Sequence, residues 1–111
     1  MKEKSVQDIL TVSDTFSSGK RLLLLFILKD KPMGYTSIVK SFEGMGIPIG
    51  SSEVYKHLGH LLDKGFIVKN TRAYVLTLKG FRAVKNTVDI IETPPSAPEV
   101  ALTFKKTKYS Q

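Results

Sequence analysis

Apolar positions along this chain recur with helical spacing in five stretches, separated by short polar or glycine-containing breaks. This periodicity predicts helices over residues 5–16, 20–29, 37–43, 51–64 and 78–92. The second helix is apolar nearly all round, so we expect it to be the most buried. Ser17-Ser18-Gly19 supplies a break and the start of this helix, and the hydroxyls of Thr36 and Thr77 suit them to N-cap the third and the fifth.

A short stretch between the fourth and fifth helices changes to strand-forming composition. Gly65 ends the fourth helix, and branched and aromatic residues then predict two strands, 66–69 and 73–77, around a four-residue polar tip. Tyr74 is expected to lie in the core. The predicted architecture is therefore mainly α with a small β-hairpin. We expect one domain over residues 1–92, followed by a tail over 93–111 that is Pro-rich, then basic, and flexible.

The fourth helix divides into two faces when its residues are placed at 100° intervals. Its core face is expected to contain Val54, Leu58, Leu61, Leu62 and Gly65. The opposite face holds Ser52, Lys56 and Gly59, with Tyr55 at its margin. Serine and lysine can hydrogen-bond base edges or phosphates, and a helix N-terminus offers N–H groups to a phosphate. A solvated helix face is the alternative interpretation.

The charge distribution favours contact with nucleic acid over a merely solvated helix face. The chain carries a net charge of +7, and seven basic but only two acidic residues lie between positions 50 and 86. Cations that contact phosphates release counterions, which makes nucleic-acid binding strong at low salt. Lysine retained for solubility is the competing explanation.

The order of these motifs resembles a known group of proteins. The pattern Ser51-Ser52-x-x-Tyr55-x-His57-Leu58, continued through Gly65 to Gly80, is similar to that of bacterial and archaeal winged helix-turn-helix transcriptional regulators of the ArsR, MarR and PadR types. The resemblance covers about residues 16–92. It implies a winged helix-turn-helix fold with extra N- and C-terminal helices, and a DNA-binding transcription factor that is usually a homodimer.

The resemblance and the residue chemistry together select a set of DNA-contact candidates. The recognition helix, 51–64, is expected in the major groove, and the wing, 66–77, on the backbone or in the minor groove. The candidates are Ser51, Ser52, Tyr55, Lys56, Lys69, Asn70, Thr71 and Arg72.

The last helix carries an apolar seam that predicts dimerisation. Its members, Phe81, Val84, Val88 and Ile91, repeat at spacings of three, four and three residues. With Val6, Ile9 and Leu10 of the first helix, they could form a surface for a second copy. Packing on the chain's own core is the alternative.

Other classes of function find little support. The chain has no cysteine, no apolar run of membrane-spanning length and no apolar signal-peptide core, so we expect a cytoplasmic, nucleoid-associated protein. No catalytic constellation or cofactor motif is present. His57 and His60 could form half a metal site, but no third ligand accompanies them in a motif.

The sequence therefore predicts a non-enzymatic, sequence-specific regulator that binds double-stranded DNA, with repression by promoter occupancy as the expected mode. The alternatives are a non-specific chromatin-type DNA-binding protein and a winged-helix module for protein–protein contact.

Overall fold

The computed structural model describes residues 3–95 of the chain. Most of the predicted tail, residues 96–111, lies outside this described part. Within the described part, five helices and one two-stranded antiparallel sheet follow one another along the chain. They are α1 (Glu3–Thr15), α2 (Gly19–Leu28), α3 (Tyr35–Gly44), α4 (Ser51–Asp63), β1 (Ile67–Asn70), β2 (Ala73–Leu76) and α5 (Leu78–Glu92). No helix in this part is long and apolar enough to cross a membrane.

Helix α2 is the centre of the domain, as its composition predicts. It contacts α3, α4, α5 and β2. Leu24 and Leu25 are fully buried, because apolar residues on nearly every side of the helix meet a neighbouring element. The core that they share with the other elements comprises Leu24, Leu25, Leu28, Ile38, Phe42, Val54, Leu58, Leu61, Phe66, Ile67, Tyr74 and Val84.

Of the two predicted helix caps, that at Thr77 is confirmed and that at Thr36 is wrong, while Ser18, within the predicted helix start, caps α2. The Ser18 hydroxyl accepts the N–H of Arg21 at 3.3 Å, and the Thr77 hydroxyl accepts that of Gly80 at 3.2 Å. Thr36 does not cap α3, because the helix already begins at Tyr35 after an extended Gly34.

The backbone before α3 is held in place by the sheet, which explains this earlier start. Met33 and Tyr74 exchange two backbone hydrogen bonds, with N···O distances of 2.8 and 3.2 Å. The segment therefore lies along the outer edge of β2 before the chain turns into α3.

Helix α5 has the bounds that the sequence predicts, and a glycine lets it approach the sheet closely. A Cβ atom at Gly80 would overlap the carbonyl oxygen of Phe66. The Thr77 hydroxyl also donates to the Gly65 carbonyl at 2.6 Å. The end of α4, the start of β1 and the start of α5 are thus joined at one point, which fixes the hairpin relative to α4.

Candidate nucleic-acid interface

The first turn of α4 leaves backbone donors without a capping side chain. Its N-cap, Gly50, has an extended backbone and no side chain to accept the N–H groups that follow. The Glu53 carboxylate accepts the Gly50 N–H at 3.4 Å, so only the reverse half of a capping box forms. The orphan N–H groups and the positive end of the helix dipole together favour an anion such as a phosphate.

Glu53 itself is occupied by partners on the inner side of the helix. Its Oε2 atom lies 3.2 Å from Lys20 Nζ and 3.5 Å from His57 Nε2. The hydrogen bond from Lys20 is the largest cause that lowers the pKa of Glu53 from its ordinary value of 4.5. The carboxylate therefore stays ionised and paired. The pair ties α4 to α2, and the Lys20 ammonium offsets the negative charge of Glu53 near the helix N-terminus.

The side of α4 away from the core gathers four of the predicted contact residues. Ser51, Ser52, Tyr55 and Lys56 are all exposed, as is Gly59 one turn later. At 100° per residue these five positions span about 140° of the helix surface, and we call them the α4 outer face. Lys56 makes no ion pair with any described residue. The outer face is therefore polar, with one free cation.

The inner face of α4 differs from the prediction by about 40° of rotation. Leu62, expected inward, is 37% exposed, whereas His57 is only 6% exposed. Leu62 projects close to Ser51 when the helix is viewed along its axis, so it falls at the edge of the outer face. His57 projects beside Leu61, so the buried face of α4 is shifted away from Leu62 and toward His57.

A polar cluster anchors this inner face to the end of α1. His60 Nε2 lies 2.9 Å from the hydroxyl of Thr15, which itself donates to the Thr11 carbonyl at 3.0 Å. The single hydroxyl proton is thereby used, so His60 Nε2 must be the donor in the first contact. Arg21 Nη1 donates to the Asp14 carbonyl at 3.0 Å, which closes the C-terminal end of α1.

Burial is the largest cause that lowers the pKa of both His57 and His60 from 6.5. The two rings turn to different partners, Glu53 and Thr15, rather than toward a common ion. Within residues 3–95, no group of three or more His, Cys, Asp or Glu side chains could hold a metal.

The hairpin places four predicted contact residues at its free end. Asn70 pairs with Ala73, so the turn contains two residues, Thr71 and Arg72, rather than the four expected. Lys69, Asn70, Thr71 and Arg72 are all exposed, and we call them the wing tip. Lys69 Nζ lies 5.4 Å from the centre of the Tyr74 ring. Tyr74 is 5% exposed, which confirms its core position.

The short turn requires an unusual backbone at Thr71. Its φ is 59°, in the left-handed region that β-branched residues rarely adopt. The backbone just before α3 lies close against the turn, since a Cβ atom at Gly34 would lie 3.0 Å from the Arg72 carbonyl oxygen. Strain that persists in this way is concentrated at functional sites in proteins generally.

Sequence patterns did not identify Tyr35 of α3 as a neighbour of the α4 outer face. Its ring stacks on that of Tyr55 with a centroid distance of 4.5 Å and an interplanar angle of 8°. The sequence indicates that Tyr35 lies near the start of a helix, but its contact with Tyr55, 20 positions later, depends on how α3 and α4 pack.

The predicted dimerisation seam on α5 divides in the structure. Val84 is 5% exposed and belongs to the chain's own core, whereas Phe81 and Ile91 are 51% and 72% exposed. Val88 is half-buried. On α1, the apolar side chains of Val6, Ile9, Leu10 and Val12 are between 41% and 55% exposed.

Solved structures share this architecture at low sequence identity. The chain is similar to quinone-bound YodB of Bacillus subtilis, with a TM-score of 0.68 and 15% identity over 76% of this chain and 91% of that one. It is also similar to the transcriptional repressor BigR of Xylella fastidiosa, with a TM-score of 0.63 and 21% identity over 86% and 94%. For PadR of Bacillus subtilis the TM-score is 0.57 and the identity 21%, over 83% of this chain and 57% of that one. No protein-family model and no curated protein sequence matches the chain.

These likenesses show the fold. The chain adopts the winged helix-turn-helix architecture, with α4 in the position of the recognition helix, β1 and β2 as the wing, and α1 and α5 as additional helices.

Proposed function

We propose that this protein is a sequence-specific regulator of transcription that binds double-stranded DNA as a homodimer. The observation that carries the proposal is the α4 outer face, where a winged helix-turn-helix fold presents polar and cationic side chains at the position of its recognition helix. Base edges in the major groove are read by side chains of this kind. The resemblance to known regulators favours repression through occupation of a promoter.

The charge distribution supports a phosphate-rich partner. The two acidic side chains of α4 lie beside cations of the chain itself, Glu53 beside Lys20 and Asp63 beside Lys64 at 3.2 and 3.5 Å. Lys56, on the outer face, and Arg72, at the wing tip, make no such pair within the described residues. These cations are therefore available to neutralise phosphates and release counterions.

The exposed apolar side chains of α1 and α5 support self-association. They occur on the two helices that flank the winged-helix elements, and at the end of α5 Ile90 and Ile91 are 74% and 72% exposed. Apolar surface gathered in this way marks interaction sites on proteins in general. A symmetric dimer would place its two recognition helices about 34 Å apart, one turn of DNA.

The test is selection of bound duplexes from a random library by the purified full chain at near-physiological salt. We expect an inverted repeat with half-sites about one helical turn apart. Lys56→Ala should lose the selected preference, whereas Lys85→Ala, which removes an exposed cation from α5, should keep it.

Three other outcomes would contradict all or part of the proposal. Tight binding at low salt with no sequence enriched would indicate non-specific coating of DNA. Failure to retain any duplex would favour the alternative function, a winged-helix module for protein–protein contact. A palindrome bound by a monomer, as measured by light scattering of the complex, would overturn the dimer alone.

A further inference from the structure

The stacked pair of Tyr35 and Tyr55 gives the α4 outer face an aromatic component. Tyr55 is 57% exposed although its ring lies parallel to that of Tyr35, 4.5 Å away. Tyr35 is half-buried and covers one face of the Tyr55 ring. What remains open to a partner is the other face of the ring and its edge.

This stacking holds an exposed side chain in one orientation. Exposed side chains ordinarily exchange rotamers on a picosecond to nanosecond timescale. A helical side chain leans toward the N-terminus of its own helix, which directs Tyr55 over the turn that contains Ser51 and Ser52. Tyrosine has only two χ angles, so contact through a ring already held in place loses little further conformational entropy.

Gly59 leaves the α4 outer face open one turn after Tyr55. Apart from the backbone of the helix itself, nothing in the described structure lies within 4 Å of a Cβ atom built there. The packing of the chain therefore does not require glycine at this position, although glycine disfavours a helix interior. A glycine is suited to close approach by a ligand, and here it lies on the same face as Tyr55.

We propose that Tyr55 reads the methyl group of a thymine in the major groove and that Tyr35 is the positioning residue for this contact. The inference rests on the proposed function. The face of the Tyr55 ring that Tyr35 does not cover is apolar and uncharged, and the C5 methyl of thymine is the apolar group that a base pair presents in the major groove. Without Tyr35, the Tyr55 ring has no fixed orientation and the methyl contact is lost.

The experiment replaces each thymine of the selected half-site in turn by deoxyuridine, which removes only the methyl group. For the wild-type protein we expect affinity to fall about fourfold at one position, as roughly 0.8 kcal/mol per buried carbon predicts. Tyr55→Ala should bind the thymine and deoxyuridine duplexes equally. Tyr35→Phe should keep the fourfold ratio, because it retains the stacked ring.

The variants Tyr35→Leu and Tyr35→Ala separate positioning from a purely structural role. We expect both to lose the thymine-to-deoxyuridine ratio, and the leucine variant keeps apolar volume if alanine destabilises the fold. Should either folded variant weaken binding to both duplexes by the same factor, with the fourfold ratio intact, Tyr35 does not position the contact.

The remaining outcomes distinguish the two proposals. If the wild-type protein binds its selected duplex but no thymine shows a Tyr55-dependent loss, the inference fails and the proposed function stands. If the wild-type protein selects no duplex at all, both fail.

Discussion

Two exposed surfaces of this small domain differ in chemistry. The α4 outer face and the wing tip expose mainly hydroxyls, amides and cations, with one tyrosine stacked on a second. Helices α1 and α5 instead expose aliphatic and aromatic side chains, with Ile9 and Ile91 at 53% and 72%. A polar surface can remain in water without a partner, whereas apolar surface gains free energy when it is covered. This difference supports the proposed function, in which the polar surface binds DNA reversibly and a second copy of the chain covers the apolar surface.

The largest expected effect comes from making the apolar surface polar. The double variant Ile9→Glu/Ile91→Glu should convert the dimer to a monomer by light scattering. Its affinity for the inverted repeat should fall about 100-fold or more, because joining two binding modules raises avidity by roughly 10²–10⁴. Met45→Glu, which charges another apolar residue that is 45% exposed, should remain a dimer. If the double variant stays dimeric, Ile9 and Ile91 do not lie in the dimer interface.

Changes to the polar surface should have the next largest effects and should separate base contact from phosphate contact. Lys56→Ala is expected to cost about 1–3 kcal/mol on the preferred duplex and to relax its sequence preference. Arg72→Ala should weaken binding to all sequences alike and reduce the slope of log affinity against log salt by about one. Titrations at several salt concentrations measure both quantities. Equal behaviour of the two variants would contradict this division of roles.

The histidines on the inner face of α4 make the connection to α1 and α2 sensitive to acid. Because burial lowers the pKa of His57 and His60 in the folded state, the unfolded chain binds more protons at acidic pH. Stability should therefore be greatest above pH 6.5 and fall as the pH decreases below it. Below about pH 4.5 a further loss should follow, because the folded-state pKa of Glu53 is lowered.

Urea denaturation between pH 4 and pH 8 measures this profile. His57→Leu removes one of the groups and should reduce the loss between pH 6.5 and pH 5. An unchanged slope in that variant would show that His57 does not contribute to it.

The smallest expected effect tests whether a partner approaches Gly59. Since the described structure leaves room for a Cβ atom there, Gly59→Ala should raise the free energy of unfolding by about 0.5–1 kcal/mol. The same methyl group should lower affinity for the selected duplex severalfold, because it adds bulk to the α4 outer face where we propose that DNA approaches. Higher stability with unchanged affinity would indicate that DNA does not come close to this position.

Local patterns in the sequence predicted much of the fold because the forces that they report are local. The caps at Ser18 and Thr77 depend on N–H groups three residues away, and the bounds of α5 follow from such a cap and its apolar periodicity. The cap assigned to Thr36 was wrong for a non-local reason: the pairing of Met33 with Tyr74 positions the chain so that α3 begins earlier.

The candidate site was predictable only in part. Helical geometry placed Ser52 and Lys56 on an exposed face without knowledge of any neighbour. That His57 is buried and Leu62 is not depends on how α2, α3 and β1 pack against α4, which no pattern within α4 contains. The two-residue turn at Thr71 similarly depends on the register of the two strands.

By itself, the sequence determined the order of the elements, the polar outer face of α4 and the concentration of cations between residues 50 and 86. These properties arise from contacts within a few residues or from composition, so they can be inferred without knowledge of the tertiary structure. The tertiary structure alone decided that Tyr35 meets Tyr55, that Glu53 is paired with Lys20, and that Val84 serves the chain's own core. Each of these contacts joins different elements, and only the packing of those elements brings the residues together.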